Sequence, residues 1–403
     1  MDDLEKRRLN LGLFQSLIND ISSIWDSSVR FDKIWWDRHN DVFTSQKVNP
    51  TYPALFGSAL TRQLRGVRNT LRTYTTRSGS RWQGPIAADL WLPEDAVIIR
   101  PGSDRGPIIA SAREGKVVKI VDPSWGHNDK WQRECEALRL AHEAGLSEHL
   151  PDLIGAGTHD GIGWIVQSLV PNDRPFVQGY ETLFHLKWAR FYTKELFPFF
   201  NKLYDFATYE YKSGEQILHE AERITGDCAD TEMVGALVKL AEKHRCFELN
   251  VISSLIHGDL SAPHIHRSKG SWVIIDWGEA RRDAIIIEQL FTYWFAPQQK
   301  AKHVSSYWDW IAGQRSFANL PTRTKSDLEL CLQFGQQYLS LEPNPEKLRN
   351  RVILTVLNEI IEWRNQVTNN ELGYKLPLSK KRVAESKWLR YRNRERITRL
   401  LAQ

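Results

Sequence analysis

The chain has 403 residues, 41% of them hydrophobic and 26% charged, with a formal net charge of +5. This is globular composition, long enough for two or three domains with ample core. It excludes a membrane-spanning helix, since no run of about 18 apolar residues occurs, and a disulfide scaffold, since Cys135, Cys228, Cys246 and Cys331 are scattered with no CxxC pair.

The opening MDDLEKRRLNLGLF lacks the uninterrupted apolar core of a signal peptide, so a cytoplasmic setting is expected. Over residues 4–25, Leu4, Leu11, Phe14, Leu17, Ile18, Ile21 and Trp25 recur near helical spacing and predict an amphipathic helix. The span to Pro93 holds the aromatic stretch KIWWDRHNDVF and then Arg62, Arg65, Arg68 and Arg72, three or four apart. That spacing gathers the guanidiniums on one helical face, by default a solvated one and otherwise a contact for an anionic substrate or lipid. Residues 1–93 are expected to form a partly helical N-terminal extension.

From Ala96 the pattern changes. AVIIRP, PIIASA and KVVKIVD are β-rich runs separated by GSDRG and REG, which predicts an antiparallel meander. NDKWQRECEALRLAHEAGL has helical periodicity, and LIGAGTHDGIGWIVQSLVP reads as two strands joined at HDGIG. Five strands and one helix make a small α+β lobe over residues 94–170. After Pro171 the chain reads as mostly helical to residue 374, including DAIIIEQLFTYWFA. Within that span, IHGDLSAPHIHRSKGSWVIIDWGE reads as a loop, a turn at SKG, the strand WVIID and WGE. Residues 375–403 carry ten basic and two acidic side chains, a net of about +8 on a body that is otherwise slightly acidic. This tail is either a solvated helix face or a surface for phosphates.

The ordered pair HGDLSAPH and IIDWG, placed after a five-stranded lobe, resembles the protein-kinase-like fold, in particular the aminoglycoside phosphotransferase and choline kinase branch. The resemblance covers roughly residues 96–370. It implies a bilobal α+β architecture, with a small five-stranded antiparallel N-lobe and a larger helical C-lobe. It also implies ATP and Mg²⁺ as cofactors. Phosphoryl transfer needs a group to orient or deprotonate the attacking hydroxyl and a carboxylate to hold the metal on the phosphates. Asp259 of His257-Gly258-Asp259 matches the catalytic base, and Asp276 of Asp276-Trp277-Gly278 matches the principal Mg²⁺ ligand. The two acids are 17 residues apart, bridged by a loop, a turn and a strand.

Lys119 in KVVKIVD matches the lysine presented to the α- and β-phosphates; its ordinary reading is a solvent-facing strand residue. Lys116 competes, but its parity along the strand places it on the opposite face. Glu134 matches the lysine's partner on the following helix, with Glu136 the fallback. Gly102, Ser103 and Gly106, in the turn GSDRG, would bring backbone N–H groups to phosphate oxygens, although such turns also simply join strands. Gln167, Ser168 and Leu169 would contact adenine through backbone groups.

Five residues after Asp259, the family normally carries an Asn that binds a second Mg²⁺; here His264 stands instead. Imidazole is a poorer ligand for a hard ion that prefers oxygen. His264 therefore either holds the second metal weakly or loses it, leaving Asp276 to act alone, or donates a hydrogen bond to Asp259 or a phosphate, or marks an inactive site. Histidine at this position also resembles the lipopolysaccharide kinases. His266 is expected on the loop surface, and a zinc centre built from His257, His264 and His266 explains fewer residues than phosphotransfer does. Trp294, Trp308 and Trp310 are either core or the lining of a sugar-binding cleft.

The expected function is ATP- and Mg²⁺-dependent phosphorylation of a hydroxyl on a small molecule or saccharide, such as an aminoglycoside, a sugar or a glycolipid precursor. The alternatives are an atypical protein Ser/Thr kinase and a catalytically silent kinase-like scaffold. The basic tail suggests peripheral contact with an anionic membrane or glycolipid at the inner membrane face; nucleic acid is not an expected partner.

Overall fold

The computed structural model describes residues 12, 14–37, 42–44, 82–99, 106–121, 130–172, 185–207, 210–225, 231–260, 262–268, 270–289 and 304–370. The chain divides into two units, Met1–Phe176 with Pro263–Gly278, and Val177–Ala262 with Glu279–Gln403. The arginine face at Arg62 to Arg72, Trp294 and the basic tail lie outside the described residues.

The first unit is organised by an antiparallel sheet of eight strands rather than the five expected. The five read from the sequence are β4 (Val97–Ile99), β5 (Ile108–Ser111), β6 (Lys116–Val121), β7 (Leu153–His159) and β8 (Ile162–Ser168). Three more come from the segment treated as an extension: β1 (Val29–Asp37), β2 (Val42–Thr44) and β3 (Trp82–Leu92). They continue the sheet through a β2–β4 pairing, in the order β3-β1-β2-β4-β5-β6-β8-β7.

Side-chain parity assigns each face of this sheet a different cover. A helix over residues 14–20, α1, runs into a 3₁₀ turn at Ile21–Ile24. Phe14, Leu17, Ile18, Ile21 and Trp25 from this segment share one core with Ile98, Ile109, Val118, Ile120 and Val166. Each such side chain contributes roughly 1.5–3 kcal/mol of gross burial energy, so this face binds the N-terminal segment firmly to the sheet. The β5–β6 turn is fixed by Asp95, whose buried carboxylate accepts the Ser111 hydroxyl at 2.5 Å and the Ala112 and Arg113 N–H groups at 3.0 Å. On the opposite parity, helix α2 (Lys130–Glu143) buries Glu134, Ala137, Leu138 and Ala141, a stripe at helical spacing.

The chain returns to this unit as a hairpin of β11 (Ile265–Ser268) and β12 (Ser271–Ile274), with Ile265 opposite Ile274. The His149 ring stacks on Trp272 at 3.8 Å and its Nδ1 lies 3.0 Å from the Trp272 carbonyl. His266 is not on a loop surface: it is a part-buried strand residue whose Nδ1 meets the Val170 carbonyl at 2.9 Å. The Arg267 N–H donates to Asn172 Oδ1 at 3.1 Å, so the hairpin is held to the segment that follows β8.

The second unit is mostly helical: α3 (His185–Phe191), α4 (Phe197–Phe206), α5 (Gly214–Thr225), α6 (Thr231–Lys243), α7 (Val304–Ile311), α8 (Thr322–Leu339) and α9 (Pro345–Asn370). It also holds a three-stranded sheet in the order β13-β10-β9, from β9 (Glu210–Ser213), β10 (Asn250–Ile256) and β13 (Arg281–Ile285). The run DAIIIEQ was expected to be helical from its start. Instead its first residues form β13 and pair with β10, and helix begins only at residue 286. Trp308 and Trp310 are 4% and 2% exposed, so both belong to the core and neither lines a cleft.

Candidate active site

Lys119 lies on β6 between Val118 and Ile120, which point into the α1 core; its own side chain therefore emerges on the α2 face. There its ammonium meets Glu134 Oε1 at 2.5 Å and Asp276 Oδ1 at 3.6 Å. Lys116, of opposite parity, turns to the other face and meets Asp26 and the Ile24 carbonyl. Glu134 also accepts the Gln167 side-chain amide at 2.8 Å. Burial is the largest effect on Lys119 and lowers its proton affinity, but Glu134 and then Asp276 together outweigh it. The ammonium titrates above its ordinary value.

Asp276 reaches this cluster through hairpin register. Ile265 pairs with Ile274, and the Ile275 N–H donates to the His264 carbonyl at 2.9 Å, so His264 and Ile275 form the next rung. Asp276 follows with φ at 68°, a left-handed conformation that ends the strand. Aspartate tolerates this region better than most residues, and the cost is on the order of 1 kcal/mol. Trp277, fully buried with its indole N–H on the Ile274 carbonyl at 3.2 Å, anchors the turn. The Asp276 carboxylate thus divides its oxygens: Oδ1 faces Lys119, and Oδ2 is 3.7 Å from His264 Nε2. Its side chain is 39% exposed, against 15% for Lys119 and 5% for Glu134. One ammonium between two carboxylates leaves a net negative charge whose most accessible oxygens belong to Asp276. That donor set fits a hard divalent cation bridging to phosphate oxygens.

Asp259 belongs to the second unit. Gly258 before it has φ at 77°, and a Cβ there would fall 2.0 Å from the Glu279 carbonyl oxygen, so only glycine fits. His257 is fully buried; its N–H donates to Gln289 Oε1 at 2.8 Å, and its Nδ1 accepts the Asp259 N–H at 3.3 Å. The loop is therefore fixed at its backbone while Asp259 itself remains half-buried.

Of the remaining expected residues, Gly102 and Ser103 lie outside the described residues, and Gly106 is buried. The Ser168 and Leu169 N–H groups are taken by the Asp152 and Gly115 carbonyls at 2.9 and 2.7 Å, which leaves carbonyls as the backbone groups these two residues could offer. Two side chains escaped the sequence reading. Gln167 was expected to act through its backbone, yet its amide braces Glu134. Gln289 braces the HGD loop, and the available signal was an amide inside the apolar run AIIIEQLF. Among the described residues, no three His, Cys, Asp or Glu side chains cluster to hold a metal by themselves.

No family model matches the chain, and no curated protein matches it. Among solved structures, it is similar to a thermostable mutant of an aminoglycoside phosphotransferase in its apo form, at 11% identity and a TM-score of 0.40, covering 76% of this chain and 94% of that one. It is similar to a choline/ethanolamine kinase family protein from Mesorhizobium loti at 12% identity and a TM-score of 0.38, covering 75% and 92%. A glucosamine kinase in complex with glucosamine, ADP and inorganic phosphate matches at 10% identity and a TM-score of 0.32, covering 73% and 76%.

Proposed function

We infer that this protein is an ATP- and Mg²⁺-dependent phosphotransferase that acts on a hydroxyl of a small molecule or saccharide. The observation that carries the reading is the clamp at Lys119, a part-buried ammonium held by Glu134 on one side and by the more exposed Asp276 on the other. An ammonium on a strand, oriented by a helix carboxylate and facing a second carboxylate at a strand end, suits a polyanion with a divalent counterion. When bound, magnesium nucleotide supplies the phosphoryl group and neutralises its charge.

The protein's own groups have separate tasks. Lys119 binds phosphate oxygens, and Glu134, braced by Gln167, holds the ammonium in place. Asp276 would hold the metal. Asp259 orients the acceptor hydroxyl and takes its proton on a carboxylate oxygen, while Gln289 and Gly258 fix the loop that carries it. β13 begins one residue after Trp277–Glu279, so no long segment intervenes between that turn and the strand, which favours a small hydroxyl compound over a protein as acceptor.

Thermal unfolding with ATP, with and without Mg²⁺, tests this reading. Stabilisation of about 2.7 kcal/mol is expected at a ligand concentration 100 times Kd, dependent on metal and lost in Asp276→Asn. Phosphate transfer from labelled ATP to a panel of sugars and aminoglycosides should follow, and Asp259→Asn should abolish it while leaving nucleotide binding. Binding without transfer to any acceptor would indicate a silent scaffold, transfer only to protein would indicate a protein kinase, and no nucleotide binding would end the reading.

A further inference from the structure

The imidazole of His264 beside the Asp276 carboxylate has a chemical consequence in this geometry. His264 Nε2 and Asp276 Oδ2 face each other at 3.7 Å, beyond hydrogen-bond distance but within the span of two bonds of about 2.1 Å to one ion. Both positions are fixed by the backbone. The His264 carbonyl accepts the Ile275 N–H at 2.9 Å, and the left-handed turn at Asp276 aims its carboxylate between Lys119 and His264. His264 is 18% exposed, so its nitrogen borders the more open carboxylate rather than bulk solvent.

Resting on the nucleotide-binding reading above, we propose that Asp276 and His264 form a mixed oxygen–nitrogen pair that selects a first-row divalent transition ion, represented by Mn²⁺, over Mg²⁺. Mg²⁺ is hard, favours all-oxygen surroundings and dehydrates reluctantly, whereas imidazole nitrogen suits the transition ions. The remaining coordination positions would go to water and phosphate oxygens, so a two-residue protein contribution suffices.

Many oxygen sites bind Mn²⁺ somewhat more tightly than Mg²⁺, so the informative quantity is the Mn²⁺/Mg²⁺ affinity ratio compared between wild type and His264→Asn. The full chain is titrated with each ion, with and without a non-hydrolysable ATP analogue, and bound Mn²⁺ is examined by pulsed electron paramagnetic resonance after ¹⁵N-histidine labelling. The expected result is a ratio at least about tenfold higher in the wild type than in the variant, with histidine nitrogen coupling that the variant loses. His264→Gln serves as the second variant, and thermal melts verify that each variant is folded.

Equal ratios, or Mn²⁺ without histidine nitrogen coupling, would overturn the proposal while nucleotide binding kept the phosphotransferase reading intact. Nitrogen-coupled Mn²⁺ with no nucleotide binding would uphold the metal pair and sink the phosphotransferase reading. Binding of neither would overturn both.

Discussion

Lys119 shows what a single buried charge contributes and what its loss exposes. Lys119→Met would leave Glu134, which is 5% exposed, facing Asp276 with no cation between them. Removing one partner of a buried pair costs about 3–5 kcal/mol, most of it the penalty of the stranded charge. Urea unfolding should therefore show a large loss for Lys119→Met and a much smaller one for Lys119→Met combined with Glu134→Leu, in which the stranded charge is gone. Nucleotide binding should be lost in both, which separates the structural role from the functional one. The pH dependence has a definite sign. Because the folded-state proton affinity of Lys119 is raised, its stabilisation is full below the ordinary value of 10.5 and disappears as pH rises through the higher folded value. The stability gap between wild type and Lys119→Met should be constant near neutrality and close only in strongly alkaline solution. A gap that closed below pH 9 would contradict the clamp.

At the scale of elements, the position of Glu134 depends on how closely α2 approaches β8. A Cβ added to Gly163 would fall 2.0 Å from the Trp131 ring, so Gly163 is the gap into which the first turn of α2 packs. Gly163→Ala should cost about 1–3 kcal/mol by overpacking and displace the helix that carries Glu134, so nucleotide affinity should fall with stability. Gly161→Ala is the control: its φ of 79° strains an alanine, but no atom lies within 4 Å of the added carbon. It should cost about 1 kcal/mol and leave affinity unchanged. Equal affinity losses in the two variants would show that helix approach is not the cause. The same elements explain what the sequence could reveal. β7 alternates throughout and α2 repeats apolar residues at helical spacing, so these elements were legible from pattern and the choice of Lys119 over Lys116 from parity, while Glu134 and Asp276 were singled out by the family resemblance. β3 was not legible. It carries one extra residue relative to β1 at each of two register shifts, which breaks its period of two, and it contains Gly84-Pro85, tolerated because the strand is at the sheet edge. β10 lies between two partners and is buried almost throughout, Ser253 and Ser254 included, so its sequence shows no polar–apolar alternation. Across the end of β13 the run Ile285-Ile286-Ile287 suits strand or helix equally until a pairing partner decides.

For the whole molecule, the distribution of charge makes a further prediction. The formal net charge of +5 arises because residues 375–403 carry about +8 and the remaining chain is slightly acidic. Among the described residues no helix is long and apolar enough to cross a membrane. Each Lys or Arg near an anionic leaflet is worth about 1 kcal/mol, enough for a cluster of this size to hold the chain at a phosphate-rich surface. The Debye length shortens from about 30 Å at 0.01 M salt to about 8 Å at 0.15 M, so such binding must weaken steeply over that range. The protein should sediment with phosphatidylserine vesicles at low salt, release as salt rises, and fail to sediment when residues 380–403 are removed. The shortened chain should retain metal-dependent nucleotide stabilisation, because Lys119, Glu134, Asp276 and His264 all lie outside the deleted segment. Sedimentation that survives the deletion would locate lipid contact elsewhere in the chain, and none above background at low salt would leave the tail without a lipid role.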